Sequence, residues 1–382
     1  MVDGLAGWLR LALSPIGAAQ QRKLLAAFGL PESVFAQPRN QLAGVVGAEA
    51  AEALLKEPHP AALQAALDWA GAPGNHVLTL ADADYPKALL EIADPPLVLY
   101  VKGNVDLLGR EALAIVGSRV PTAQGEINAE TFASSLAASD LVIVSGLAQG
   151  IDAAAHRGAL LAKGGTVAVI GTGIDRIYPA RNAALAREIA GKGVVLSEFP
   201  LGTTAARWNF PRRNRLIAGL ALGVLVVEAT TESGSLITAR FAAECGREVF
   251  AIPGSIHSPQ SRGCHRLIRE GAKLVETADD VLEELRGISQ KPEIKRQKPR
   301  YPSKPVSSRK TPSPTSSASL PAHLPPEALR ILECLGTRSC DIDALTLETG
   351  LPVEALQAHL LTLELESLVI RQPGGSFLRL FI

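Results

Sequence analysis

The chain has 382 residues, 47% of them hydrophobic and 20% charged, which excludes disorder throughout and supplies core material for two or three domains. Its 38 Lys and Arg residues equal its 38 Asp and Glu residues, so bulk charge identifies no nucleic-acid or membrane partner. Any such partner has to be read from local clusters.

The N-terminus carries no basic stretch leading into an apolar h-region with a small-residue cleavage site. The apolar runs further on fall far short of the roughly 20 residues that cross a bilayer. A cytoplasmic protein without membrane contact is expected. Residues 1–72 are rich in Ala and Leu and read as a small helical domain. Within it, Ser14-Pro-Ile-Gly-Ala18 precedes Lys23-Leu-Leu-Ala-Ala-Phe-Gly29, either a plain bundle or a short hairpin offering amides to phosphate.

Residues 73–286 alternate short β-branched runs with amphipathic stretches. Buried strands are expected at Leu113 to Val116, Leu141 to Ser145, Thr166 to Ile170, Val194 to Ser197, Val224 to Glu228, Glu248 to Ile252 and Lys273 to Glu276. Helical patterns fill the gaps, at Ile127 to Ala138, Asp152 to Ala162, Asn182 to Ala190, Ser235 to Cys245 and His265 to Glu270. This alternation predicts an α/β fold, a Rossmann-like doubly wound and mainly parallel sheet. Cys245, Cys264, Cys334 and Cys340 form no Cys-x-x-Cys pair, so reduced structural thiols are expected. His257, Cys264 and His265 lie close in sequence without further regular ligand spacing, and no metal is expected.

Residues 287–325 replace aliphatic side chains with Pro, Ser, Lys and Arg and read as a basic linker, either a solvated tether or an arm that grazes polyanions. Residues 326–382 follow winged-helix order: helices at Pro326 to Leu335, Ile342 to Thr349 and Val353 to Glu366, then Leu368 to Arg371, a Pro-Gly-Gly turn at 373–375, and Phe377 to Phe381. Acids outnumber arginines there, and an acidic surface repels phosphate. This domain is therefore expected to contact protein or to regulate, rather than to grip a duplex.

In a doubly wound sheet the loops after the strands form the ligand-binding edge. Glycine recurs in these loops: Gly117-Ser-Arg119, Gly146 to Gly150, Gly171-Thr-Gly173 and Ser233-Gly-Ser235. Several precede a helix, where backbone amides attract anions. Neither Gly-x-Gly-x-x-Gly nor Gly-x-x-x-x-Gly-Lys-Ser/Thr is present, so no nucleotide cofactor is expected. Asp152 reads as a helix N-cap and His156 as a packing or surface residue, not as an acid–base couple.

The most informative stretch is Arg207-Trp-Asn-Phe-Pro-Arg-Arg-Asn-Arg-Leu-Ile-Ala218. Arg207, Arg212, Arg213 and Arg215 crowd around Trp208 and Phe210 without a nearby acid, and Pro211 is placed as the first residue of a helix. Guanidinium forks bind phosphates and exposed rings stack unpaired bases, the ingredients of a single-strand groove. The alternative is that the rings are core anchors and the arginines pair with Glu198, Glu228 or Glu232.

These blocks, from Ala114-Ile-Val-Gly-Ser-Arg119 to Ser233-Gly-Ser-Leu-Ile-Thr-Ala239, with Tyr178-Pro179 and Ser197-Glu198 between, resemble the DNA-processing protein A (DprA, or Smf) family. The N-terminal segment is similar to that family's SAM-like or helix-hairpin-helix segment, and the C-terminal one to its winged helix. The resemblance implies a non-enzymatic, homodimeric protein, joined through the Rossmann-like domain. It binds single-stranded DNA taken up in natural transformation, protects it, and helps load the RecA recombinase onto it in place of single-strand binding protein. DNA contacts carried over fall on Arg119, on Phe210 with Arg212, Arg213 and Arg215, and on the loops around Gly146 and Gly171, with Arg207 a weaker candidate. The candidate set comprises Gly117, Ser118, Arg119, Gly146, Gly150, Gly171, Thr172, Gly173, Arg207, Phe210, Arg212, Arg213, Asn214, Arg215, Gly234 and Ser235. Replacing Arg119, or Arg213 together with Arg215, by Ala is expected to weaken binding while the fold is retained.

The rival reading is a nucleotide phosphoribohydrolase-like enzyme on a related Rossmann-like fold, with Glu228, Glu232 and Ser233-Gly-Ser235 at its site. That family's Pro-Gly-Gly-x-Gly-Thr-x-x-Glu motif is absent, and residues 231–238 are only a loose echo of it.

Overall fold

The computed structural model describes residues 2–56, 60–289, 325–335, 342–365, 368–371 and 377–379, and the chain divides into two compact units, Met1–Lys295 and Arg296–Ile382. In the first unit the strands are β1 (Asn75–Thr79), β2 (Val98–Gly103), β3 (Ala112–Val116), β4 (Val142–Ser145), β5 (Thr166–Val169), β6 (Val194–Ser197), β7 (Gly223–Val226), β8 (Glu248–Ala251) and β9 (Lys273–Leu274). They form one sheet in the order β1-β2-β6-β5-β4-β3-β7-β8-β9. Strands β3 to β9 run parallel, and β1 and β2 join antiparallel at the β6 side. The mainly parallel, doubly wound sheet is therefore present, with a two-strand antiparallel extension that sequence reasoning did not place.

Short aliphatic strands buried on both faces explain this arrangement, since successive side chains point to opposite sides. Along β3, Ala114 and Val116 enter one core while Leu113 and Ile115 enter the other. Six helices precede the sheet: α1 (Val2–Ala12), α2 (Ala18–Phe28), α3 (Pro31–Phe35), α4 (Arg39–Val46), α5 (Ala48–Leu55) and α6 (Pro60–Ala70). Their core residues Trp8, Leu9, Leu24 and Leu54 belong to the same apolar cluster as Tyr100 of β2 and Ala168 of β5. The expected 14–18 hairpin joins α1 to α2, but the Gly17 amide is taken by Gln20 Oε1 at 3.1 Å.

Helix α7 (Lys87–Leu90) precedes β2, and α8 (Ala123–Ala138), α9 (Ile151–Leu160) and α10 (Ala183–Lys192) follow β3, β4 and β5. Then come α11 (Asn209–Leu220) before β7, α12 (Ser235–Glu244), α13 (Arg262–Arg269) and α14 (Ala278–Ser289). The chain winds from β3 outward through β4, β5 and β6, then crosses back to place β7 on the other side of β3. Loops after β3 and β7 must diverge there, and a crevice opens between them.

The second unit holds α15 (Pro326–Leu335), α16 (Ile342–Thr349), α17 (Val353–Leu365) and the antiparallel pair β10 (Val369–Arg371) and β11 (Phe377–Arg379). Ile331, Leu345, Leu356, Leu360 and Phe377 form its core. The winged-helix order is thus observed, and the 373–375 turn lies outside the described residues. So do residues 290–324 of the expected basic linker.

Candidate nucleic-acid interface

A cleft of about 720 Å³ occupies the β3/β7 crevice. Its walls include Gly117, Ser118 and Arg119 after β3, Arg207, Phe210, Arg213 and Asn214 at the start of α11, and Gly234 and Ser235 at the start of α12. The loops at 117–119 and 233–235 and part of the arginine-rich stretch therefore meet here, while Gly150, Thr172 and Gly173 line neither this cleft nor the recess beside it. Adjoining it, a smaller recess is lined by Arg119, Gly146, Gly171, Tyr178, Phe210 and Arg213.

Phe210 is half-buried against Gly171, where a Cβ would approach the ring to 3.0 Å, and the Tyr178 ring lies 5.7 Å away, tilted by 38°. Arg119 is exposed, with its guanidinium carbon 5.5 Å from the Phe210 centroid. A cation over an aromatic face is held there by the ring quadrupole, which keeps the Arg119 charge at this rim. Arg207 is also exposed and lines the same cleft. Among the described residues neither Arg119 nor Arg207 has a carboxylate within ion-pair distance. Tyr178 lies outside the candidate set, although Tyr178-Pro179 is one of the blocks that carry the family resemblance and follows the Gly171 loop closely.

The four arginines of the 207–215 stretch do not share one surface. The helix begins at Asn209, so Pro211 is its third residue rather than its first. Helical periodicity then brings Phe210, Arg213, Asn214 and Ile217 to the cleft and turns Arg212 and Arg215 elsewhere. Arg212 pairs with Glu198 Oε2 at 3.2 Å and lies over the Phe199 ring. Arg215 is buried, 2.5 Å from Glu198 Oε2 and 3.0 Å from Asp94 Oδ2. Burial pushes the Glu198 carboxyl up, and Arg215 and Arg212 oppose that shift. The alternative pairing with Glu198 is thus what Arg212 and Arg215 adopt.

Arg213 is only 4% exposed. One terminal nitrogen donates to Gly146 O at 2.5 Å and to Val169 O, and Nε donates to Asn214 Oδ1 at 3.1 Å. A Cβ on Gly146 would clash with the guanidinium, 2.7 Å from its carbon, so glycine here leaves room for the buried Arg213 head. Burial lowers Arg213 to about 10, against the opposing charge of Asp152. Asp152 is the second residue of α9 rather than its cap. Its Oδ2 accepts from the Gly146 and Ala148 amides at 3.2 and 3.4 Å. Burial raises its carboxyl, and Arg213 opposes the rise. Arg213 and Asp152 thus hold the cleft floor from behind.

Gly150, at φ 80°, starts α9 directly under Ser118 O, which accepts from the Ile151 amide at 3.1 Å. The Ser118 amide donates to Glu228 O at 2.8 Å. Thr172 is buried, its hydroxyl on Arg176 O at 2.5 Å, and the Gly173 amide donates to Thr203 O at 2.9 Å. Asn214 Nδ2 donates to Gly234 O at 3.4 Å, and Ser235 Oγ shares a 2.7 Å hydrogen bond with Ser233 Oγ. Much of the glycine-rich edge therefore bonds to itself, and the half-buried Phe210 ring, the exposed Tyr178 ring and the exposed Arg119 and Arg207 line the cleft.

Other titratable groups are engaged elsewhere. His156 is fully buried, with Nδ1 2.7 Å from Thr166 Oγ1, and burial lowers it to about 3. Glu228 accepts from the Thr122 amide at 2.9 Å and hydroxyl at 2.6 Å, at the positive end of α8. Glu232 does not line the cleft. Cys264 is buried against the Val226 and Val227 carbonyls, and burial pushes its thiol up to about 12. His265 lies on Gly254 O at 3.0 Å. No helix among the described residues is long and apolar enough to cross a membrane.

Residues 76–286 match the family described as DNA recombination-mediator protein A, and residues 313–375 match the DprA winged helix domain. Protein Smf of Escherichia coli (strain K12) is 40% identical over 315 residues, 82% of this chain and 80% of that protein. DNA processing protein DprA of Streptococcus pneumoniae is 52% identical over 206 residues, 54% of this chain and 73% of that protein. The X-ray structure of DprA from Streptococcus pneumoniae superposes with TM-score 0.66 at 42% identity, covering 72% of this chain and 95% of that one. A structure of DNA processing protein A from Helicobacter pylori, concerned with its single-stranded DNA binding mode, gives TM-score 0.51 at 32% identity, covering 56% and 96%.

Proposed function

The chain belongs to the DNA recombination-mediator protein A family, and we propose that it binds single-stranded DNA in the β3/β7 cleft. The observation that carries this reading is Arg119 stacked over Phe210 at the rim, beside Tyr178 and Arg207, with no carboxylate paired to either guanidinium among the described residues. Rings accept a base face and guanidiniums accept phosphate, with little base information in either contact. The Helicobacter pylori relative, concerned with single-stranded DNA binding, supports the same assignment. Of the candidate set, Arg119, Arg207 and Phe210 are the direct contacts in this reading. Arg213 and the self-bonded glycine loops shape the cleft, and Arg212 and Arg215 brace Glu198.

In the cell this binding protects DNA taken up in natural transformation and helps load the RecA recombinase in place of single-strand binding protein. The protein acts in the cytoplasm as a homodimer through its Rossmann-like domain, without catalysing a reaction of its own. The test is fluorescence anisotropy of a labelled homopolymeric strand, with a duplex competitor and a salt series. Single-strand preference is expected, and Arg119→Ala or Arg207→Ala each lower affinity and reduce the salt slope by about 1. Equal binding of duplex, or unchanged affinity in both variants, refutes the groove. For the loading role, RecA filament growth on a strand precoated with single-strand binding protein is the assay, and growth unchanged by added protein rules it out.

A further inference from the structure

Trp208 is 78% exposed, more than any other large hydrophobic side chain among the described residues. A single exposed ring is ordinary on a protein surface, so what it does follows from how it is held and what flanks it. Its backbone is fixed. Trp208 has helical φ and ψ of −74° and −18° as the residue before α11. The next residue, Asn209, is buried, donating from Nδ2 to Gly171 O at 3.1 Å and to Thr204 O at 3.3 Å, and its amide donates to Ala206 O at 3.0 Å. The indole is thus presented on an anchored turn, and little ordering is needed when something stacks on it.

Its surroundings identify the occupant. Arg207, on one side, lines the cleft. Arg212, one helical turn on, has a side chain that is 52% exposed. Trp208 is thus flanked along the chain by the exposed Arg207 and by the half-exposed Arg212, which also pairs with Glu198, and it lies outside the walls of the Phe210 cleft. An acidic, planar-ringed chain fits such a surface.

We propose that Trp208 is a second stacking platform for a base of single-stranded DNA, so that the strand leaves the Phe210 cleft and crosses the start of α11. This rests on the single-strand reading above and extends its footprint along the strand. Loss of the platform weakens only strands long enough to reach beyond the cleft.

The chain contains 3 tryptophans, of which Trp8 is 7% exposed and Trp69 packs edge-on against Tyr100, so Trp208 is the one that solvent reaches freely. Intrinsic emission and anisotropy are measured together on the full chain, titrated with oligothymidylates of increasing length. Long strands are expected to quench the emission and to shield it from acrylamide, and Trp208→Phe abolishes the signal while keeping most of the affinity. Trp208→Ala is expected to lower affinity for long strands roughly fivefold to a hundredfold, the range for one stacked base, and to leave the shortest binding strands unaffected. Binding that leaves emission and acrylamide access unchanged overturns the proposal and assigns the ring to a protein contact. Equal losses for short and long strands in Trp208→Ala also overturn it. No binding by the unaltered chain overturns the single-strand reading as well.

Discussion

Replacing Arg213 by Ala separates a structural arginine from the exposed ones beside it. The substitution removes the donor to Gly146 O and Val169 O and takes away the charge that opposes burial of Asp152. Leaving the buried Gly146 and Val169 carbonyls without their donor costs about 1–3 kcal/mol, and the loss of the charge opposite Asp152 acts in the same direction. At about 2 °C per kcal/mol for a unit of this size, Tm should fall by roughly 2–6 °C. The sign with pH follows from the raised Asp152 carboxyl. Without Arg213 that group is raised further, so the folded state binds more protons than the unfolded one and the variant regains stability as pH falls through the folded value. Thermal unfolding of Arg213→Ala and of Arg119→Ala across a pH series checks this. Arg119→Ala should change stability by no more than about 0.5 kcal/mol, since its side chain is exposed. A fully stable Arg213→Ala protein with weakened DNA binding would return Arg213 to the contact role expected from sequence and refute the account of the cleft floor.

Other outcomes follow from the same contacts. Gly146→Ala places a methyl group in the Arg213 guanidinium and is expected to lower both Tm and single-strand affinity, whereas a neutral result means that α11 shifts freely. Thr122→Ala removes the hydroxyl that caps α8 through the Gly125 amide at 3.0 Å and should cost about 1 kcal/mol in urea unfolding. Because His156 is lowered to about 3 in the fold, its neutral form contributes stability above the unfolded value near 6.5 that is lost as pH falls toward 3. A His156→Asn protein should show a flatter pH dependence over that window, and an unchanged slope counts against the buried imidazole as its source.

The sequence by itself determined the β3-to-β9 alternation, the three helices and two strands of the second unit, and the meeting of glycine loops on one sheet edge. Those features follow from local periodicity, and strand-end loops of a parallel sheet have to share an edge. Strands β1 and β2 were not placed, because antiparallel addition at the β6 side depends on pairing across more than ninety positions, as between Tyr100 and Ser197. Only the tertiary structure decided the division of labour among the arginines. Residue type and spacing are the same for a guanidinium in solvent and one in the core, and what separates Arg119 and Arg207 from Arg213 and Arg215 is what lies opposite each one. Glu198 is one of three acids the sequence offered as partners without choosing among them, and Gly146 O, Val169 O and Asp94 come from distant stretches of chain that no local pattern announces.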